Sequence, residues 1–325
     1  MVSDGTEFTV EYSYPAGNGF DAGKGELVVK ADGTVATSEA LPYGAKVTLS
    51  EVAPEAPEGG EWISHEFSPE TVTIGDGATA EVTLTNTIGL NDGYFSVTKA
   101  VEGTGAGLVP ADTEFTVEYS YPAGNGFEAG NGELVVKADG ETVKSDPLPY
   151  GAEVALTEVE PVKIEGGEWV NFEFSTDTLT IGDGTTVDVL LTNENERGAG
   201  HFSVVKALDG TGADLVNPTT EFVVEYSYPA GDGFDAGKGE LVVKADGTIA
   251  TSGALPYGAE LTLKEAAPVA IEGGEWTDHM FSEDTVTIGE NTTVEVTLTN
   301  SIDADEVSND AGDPDKSGDP SKPGD

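Results

Sequence analysis

Three polar residue types recur where alternating segments turn their side chains inward, and together they could build an amide. In residues 94–101, Phe95, Val97, Lys99 and Val101 share one parity, and in 201–208 so do Phe202, Val204, Lys206 and Leu208. Val154, Leu156 and Glu158 share a face, matched by Leu261, Leu263 and Glu265. Val187, Val189, Leu191 and Asn193 line up likewise, matched by Val294, Val296, Leu298 and Asn300. A lysine, a glutamate and an asparagine therefore fall on core-facing parity, whereas Lys46 and Lys264 fall on the outward parity of their segments. Burial drives a lysine towards the neutral, nucleophilic amine and a carboxyl towards its protonated form. An amine beside a carboxamide, with a protonated glutamate polarising the carbonyl and shuttling protons, can form an amide and expel ammonia.

Simpler roles stand beside that chemistry. Lys99 can be a strand-end residue whose ammonium snorkels to solvent, Glu158 a rim charge, and Asn193 a turn former closing its strand. Recurrence of the trio is not independent support if the copies are recent duplicates.

The elements that must position these residues come from a repeat. Glu7, Glu114 and Glu221 are spaced by 107, and Trp62, Trp169 and Trp276 keep the same interval, as do Asn86, Asn193 and Asn300. Within one copy, residues 115–121 alternate apolar and polar side chains with period two, the mark of a half-buried strand. Further strands are expected at 94–101, 132–138, 152–158, 169–174, 178–181 and 185–193, separated by turns at 138–140, 149–151 and 182–184. No segment sustains helical periodicity. Seven or eight short strands in about 100 residues predict a β-sandwich for each copy. Boundaries are expected at 1–89, 94–197 and 201–302, with 303–325 an acidic, Pro/Gly/Ser-rich, disordered spacer. The first copy has Glu51 and Asn86 but no opening strand and no lysine to meet them. It is expected to form no bond and to be the least stable; either its first strand was lost to truncation or an edge is open to strand addition from elsewhere.

Composition excludes much else. The 325 residues carry 61 Asp plus Glu against 14 Lys plus Arg, a formal charge of −47, which argues against nucleic acid and anionic membrane surfaces. With no Cys there is no disulfide framework and no thiolate site, and the three His (His65, His201, His279) are too scattered for a triad or a metal centre. No run reaches the roughly 18–20 apolar residues of a membrane span. No cofactor, metal or conventional enzyme activity is expected. Asp313-Pro314-Asp315-Lys316-Ser317-Gly318 has the start of a calcium-loop pattern, but Gly324 occupies the place of the closing bidentate Glu.

Phe-x-Val-x-Lys at the start, Leu-Pro-Tyr-Gly-Ala followed by Leu-Thr-Glu in the middle, and Val-x-Leu-Thr-Asn at the end resemble Cna-B-type repeats and related repeats of actinobacterial surface proteins. The resemblance implies an all-β tandem array of three Ig-like or prealbumin-like β-sandwich domains, the first lacking its opening strand. It implies stalk modules of Gram-positive adhesins and pili, often locked by a Lys–Asn isopeptide bond. Carried over, the bonds are Lys99–Asn193 assisted by Glu158 and Lys206–Asn300 assisted by Glu265. It further implies an extracellular, cell-wall-associated protein that meets a host or environmental ligand through a separate tip domain. No secretion signal or sorting motif is visible, so the chain is expected to be an anchor-proximal fragment of a longer protein.

Three other readings remain at this point. Tyr119, Tyr121, Tyr150 and Trp169 could form a carbohydrate-binding platform, although the parity of Tyr119 and Tyr121 favours the core. Acids at the junctions, Asn91-Asp92 and Glu194-Asn195-Glu196, could bind calcium and rigidify the array. The acidic excess could instead reflect a salt-rich habitat.

Overall fold

The structure, a computed structural model, describes residues 2–305. Most of the acidic stretch 303–325, including the 313–318 motif, lies outside the described residues. The described chain is all-β, with two single-turn 3₁₀ segments and no α-helix.

The chain divides into two compact units, one comprising residues 1–102, 109–162 and 169–194, the other 103–108, 163–168 and 195 onward. The first unit opens with β1 (Glu7–Tyr14), β2 (Gly23–Lys30), β3 (Lys46–Glu51), β4 (Gly60–Ser68), β5 (Thr71–Thr73) and β6 (Thr83–Leu90). The chain continues with β7 (Asp92–Glu102), β8 (Glu114–Tyr121), β9 (Gly130–Lys137), β10 (Thr142–Lys144), β11 (Leu148–Pro149), β12 (Glu153–Glu158), β13 (Gly167–Phe174), β14 (Thr178–Thr180) and β15 (Thr186–Arg197), β13 beginning and β15 ending in the other unit. The other unit carries β16 (Ala199–Asp209), β17 (Glu221–Tyr228), β18 (Gly237–Lys244), β19 (Ala250–Thr251), β20 (Leu255–Pro256), β21 (Glu260–Glu265), β22 (Gly274–Phe281), β23 (Thr285–Thr287) and β24 (Thr293–Ala304).

The second and third repeats share one architecture. One sheet of the second repeat runs β10-β7-β15-β13, with β11 also on β7, and the other runs β14-β12-β8-β9. The corresponding sheets of the third repeat are β19-β16-β24-β22, with β20 on β16, and β18-β17-β21-β23. Inward parity fills the space between them. Phe95, Val97, Phe115, Val117, Val136, Val154, Ile181, Val189 and Leu191 are all at most 2% exposed. The first strand and the last run parallel and adjacent, Val97 opposite Val189 and Lys99 opposite Leu191. Two strands far apart in sequence therefore become neighbours, because the apolar faces of both must close over the same opposite sheet.

The expected strands form, with two differences. β15 runs past Asn193 to Arg197, and the short β10 and β11 fall in a segment not read as strand. Both pair antiparallel with β7, Val143 opposite Val97 and Leu148 opposite Gly93, and buried Ser145 lies in the sequence between them. Its backbone N–H donates to the Phe95 carbonyl at 2.9 Å and its Oγ accepts from the Phe95 N–H at 3.2 Å. The turn into β12 requires Gly151, whose φ of 79° lies in the left-handed region.

Among the described residues, the first repeat lacks the strand that opens the other two. It has one four-stranded sheet, β2-β1-β3-β5, and the pair β4-β6. The residues equivalent to β10 and β11 form no strand, and Ser38 is half-buried where its counterpart Ser145 is buried. Leu84 and Val82 are only half-buried, whereas the matching Leu191 and Val189 are sealed at 0% and 2%. Each apolar square ångström left wet forfeits about 25 cal/mol of burial, so this repeat should be the first to open. Hydrogen exchange during a thermal ramp should show β6 amides losing protection before those of β15 and β24. Loss of all three together, or of β6 last, contradicts this.

Candidate functional site

The second repeat brings its trio together across the two sheets. Lys99 on β7 and Asn193 on the adjacent β15 project from one sheet, and Glu158, the last residue of β12, faces them from the other. Lys99 is 2% exposed, Asn193 1% and Glu158 7%. Neither the snorkelling lysine nor the rim glutamate describes these positions.

Asn193 Nδ2 donates to Glu158 Oε1 at 2.8 Å. The Lys99 ammonium nitrogen donates to the carbonyls of Ala100 at 2.8 Å and Leu191 at 3.4 Å, and it lies 4.4 Å from the centroid of the Phe115 ring. Leu191 is two residues before Asn193 on the same face, so the amine reaches across to the strand that carries the carboxamide. Glu158 Oε2 and Asn193 Oδ1 are buried without hydrogen-bond partners, a costly state that a proton on the carboxyl or a reaction at the carboxamide would relieve.

The third repeat repeats this arrangement. Asn300 Nδ2 donates to both oxygens of Glu265, at 2.9 and 3.0 Å. Lys206 donates to Ala207 at 2.6 Å and Leu298 at 3.2 Å and lies 4.6 Å from the Phe222 ring centroid. Asn300 Oδ1 is buried and unpartnered, as in the second repeat. In the first repeat Asn86 Nδ2 donates to Glu51 Oε1 at 2.6 Å, and Asn86 Oδ1 is again unpartnered. The acid–amide pair is thus built even where no lysine is supplied.

Burial dominates the electrostatics. It pulls Lys99 down to about 8, opposed by the Glu158 charge, and pulls Lys206 down to about 8, opposed by Glu265. Burial also pushes both carboxyls up, against the opposing pull of the Asn hydrogen bond and the Lys charge. Both shifts move towards a neutral amine and a protonated acid, the pair needed for attack on an amide. The observed contact sets the carboxyl on the nitrogen that must leave, where it can deliver the proton that makes ammonia. A half-turn of the carboxamide would set the acid on the carbonyl oxygen instead.

One neighbour was not singled out in the sequence. His65 Nδ1 lies 3.8 Å from Glu51 Oε2 and His279 Nδ1 4.0 Å from Glu265 Oε2, each imidazole about half exposed. The equivalent residue of the second repeat is Phe172, so the only sequence signal was a His recurring in two of three copies. Lys264 and Lys46 are exposed, as their outward parity requires.

The rival sites are not assembled. Tyr119 is 8% exposed and packs edge-on against Phe95 at 5.2 Å, and Trp169 packs edge-on against Phe115 at 5.6 Å. Two of the four aromatics proposed as a platform therefore serve the core. Among the described residues, no group of three or more His, Asp or Glu side chains is placed to hold a metal ion. Asn91 instead donates to Asp183 at 3.0 Å, and Asn195 is fully buried.

Residues 2–88, 95–196 and 202–303 each match one family model, described as a domain of unknown function (DUF5979). The chain belongs to this family, as three tandem copies of its domain. A search of curated proteins returns no match. Among solved structures, the chain is similar to a major pilin (T3.2) of Streptococcus pyogenes, at 12% identity and TM-score 0.33, covering 65% of this chain and 98% of the pilin. It is similar to two B repeat units of the collagen-binding protein of Staphylococcus aureus, at 16% identity and TM-score 0.29, covering 91% and 69%. It is also similar to the Bacillus anthracis TIE protein, at 13% identity and TM-score 0.33, covering 92% and 52%. Similarity at this level assigns no role to the chain.

A variant carrying Asn193→Ala and Asn300→Ala keeps both buried amines free and makes the shifts measurable. A glutamate with a raised folded pKa binds more protons folded than unfolded, so stability falls as pH rises from the ordinary 4.5 through the raised value. A lysine lowered to about 8 binds fewer protons folded, so stability rises again between pH 8 and the ordinary 10.5. Denaturant unfolding across pH 5–10 should show that minimum. A flat profile between pH 8 and 10 contradicts the buried amine.

Proposed function

We propose that the chain is a structural stalk segment of a bacterial surface protein, locked by self-formed amide bonds between Lys99 and Asn193 and between Lys206 and Asn300. The observation that carries this reading is the buried Lys–Glu–Asn trio, present on the same strands of the second and third repeats. The neutral amine of Lys99 attacks Asn193 Cγ, a C–N bond forms, and the Cγ–Nδ2 bond breaks. Glu158 moves the proton from the attacking nitrogen to the departing one, which leaves as ammonia. Glu265 serves Lys206 and Asn300 in the same way. Each centre turns over once and on itself, so the chain is no enzyme in the ordinary sense.

The mechanical consequence follows from topology. The lysine sits in the first strand and the asparagine in the last, and these strands are parallel neighbours. A bond there carries tension from one end of a repeat to the other and shields the strands between from unfolding. By analogy with a disulfide closing a loop of about 100 residues, it would stabilise the fold by about 4–5 kcal/mol. That is substantial beside the roughly 5–15 kcal/mol of a typical domain. A chain with no cysteine would thereby gain covalent bracing that reductants cannot undo. The resemblance to Cna-B-type repeats adds the setting, an extracellular, wall-associated array that spaces a ligand-binding tip from the surface, and the acidic excess keeps that array solvated.

Intact mass is the test. The chain should fall short of its sequence mass by two ammonia molecules, and Glu158→Ala or Lys99→Met should restore one of them. A full sequence mass overturns the cross-link.

A further inference from the structure

A single residue, Asn91, separates β6 of the first repeat from β7 of the second, and it is tied on both sides. Its N–H donates to the Gly59 carbonyl of the first repeat at 3.0 Å. Its carbonyl accepts from the Tyr150 N–H of the second repeat at 2.9 Å. Asn91 Nδ2 donates to Asp183 at 3.0 Å, and the Asp92 carbonyl accepts from the Gly184 N–H at 2.9 Å. Side chains close the same seam. The half-buried Tyr150 ring packs against buried Gly59 so tightly that no Cβ fits there. Leu90, the last residue of β6, comes within 3.4 Å of where a Cβ on Gly126 would stand, in the loop after β8.

The second unit contains the same arrangement within itself. Gly198 stands between β15 and β16, its N–H donating to the Gly166 carbonyl at 2.8 Å and its carbonyl accepting from the Tyr257 N–H at 2.9 Å. The Asn291 N–H donates to the Ala199 carbonyl at 2.8 Å, and the Tyr257 ring leaves no room for a Cβ on Gly166. The place of Leu90 is taken by Arg197, the only arginine of the chain. It donates to the carbonyls of Tyr257, at 3.1 Å, and of Asp232, and its guanidinium lies 5.2 Å from the Phe234 ring centroid. The neighbouring side chain thus changes from apolar to cationic, while the tyrosine, the glycine and the backbone bonds between them are kept.

Domains joined in one chain move against each other unless their contact is extensive. A one-residue link with both backbone groups bonded, capped by an aromatic ring on a bare glycine backbone, removes that freedom. We propose that the turn at 149–151 is a docking surface for the end of the preceding repeat, with the Tyr150 ring clasping Gly59, so that the first and second repeats turn as one body. The partner it fits is a buried glycine turn followed by the terminal strand of another copy of this repeat. The Tyr257–Gly166 contact is a second instance of the same recognition. The clasp gives the proposed stalk its stiffness at the seam, and it does not depend on the amide bonds within the repeats.

The absence of cysteine lets spin labels be placed at will. Glu11→Cys on β1 and Glu118→Cys on β8, both exposed, put one label on each of the two repeats in the full chain. Dipolar electron-spin spectroscopy should give one narrow distribution of label separations. Adding Tyr150→Ser should abolish the narrow peak, and Tyr150→Phe should keep it. Hydrogen exchange should show β8 and β12 amides as protected in Tyr150→Ser as in the parent, so that loosening of the seam is read without unfolding. A broad distribution in the parent, or a narrow peak retained in Tyr150→Ser, overturns the clasp. Loss of β8 and β12 protection in Tyr150→Ser also overturns it, because the ring would then serve the fold of its own repeat. Intact mass of the same samples reads the amide bonds separately, so a failure of one account is told apart from a failure of the other.

Discussion

Everything at the site depends on the cost of placing an amine and a carboxyl in a dry β-sandwich core. Water would ionise both, and an interior that excludes water favours their neutral forms. In the second repeat the enclosure comes from two sheets meeting over Phe95, Phe115 and Leu191, with Phe115 lying directly under the Lys99 nitrogen. The same packing that stabilises the sandwich therefore moves both groups towards those neutral forms. The polar atoms left without partners, Asn193 Oδ1 and Glu158 Oε2, mark where that packing is under-satisfied. Native cores tolerate few such atoms, yet the Asn Oδ1 is unpartnered at the equivalent position of all three repeats.

The first repeat shows the same constraint by default. Without a covering strand, Leu84 and Val82 stay half-wet. The Glu51–Asn86 hydrogen bond nevertheless forms, because β3 and β6 set both side chains without help from the absent strand. The acid–amide pair is thus a property of the later strands, and the opening strand brings only the amine and the seal.

Much of this was legible in the sequence because strands alternate with period two. Parity alone put Lys99, Glu158 and Asn193 inward and Lys264 outward, and it assigned Tyr119 to the core. Less could be read where the signal depends on pairing. Nothing local reveals that β7 and β15 are parallel neighbours, since their partnership is set by the closing of the sandwich. β10 and β11 were missed because each is too short for a periodic pattern and Pro149 interrupts the second. The continuation of β15 from Asn193 to Arg197 was hidden by a run of polar residues that carries no alternation. The histidines beside Glu51 and Glu265 were passed over because they lie on an exposed face and one copy replaces them with Phe172.

The central claim is a covalent bond between the first and last strands of a repeat, and tandem mass spectrometry of a complete digest reads it directly. The account predicts branched peptides joining Lys99 to Asn193 and Lys206 to Asn300. Recovery of linear peptides with free Lys99 and intact Asn193 carboxamide would contradict it.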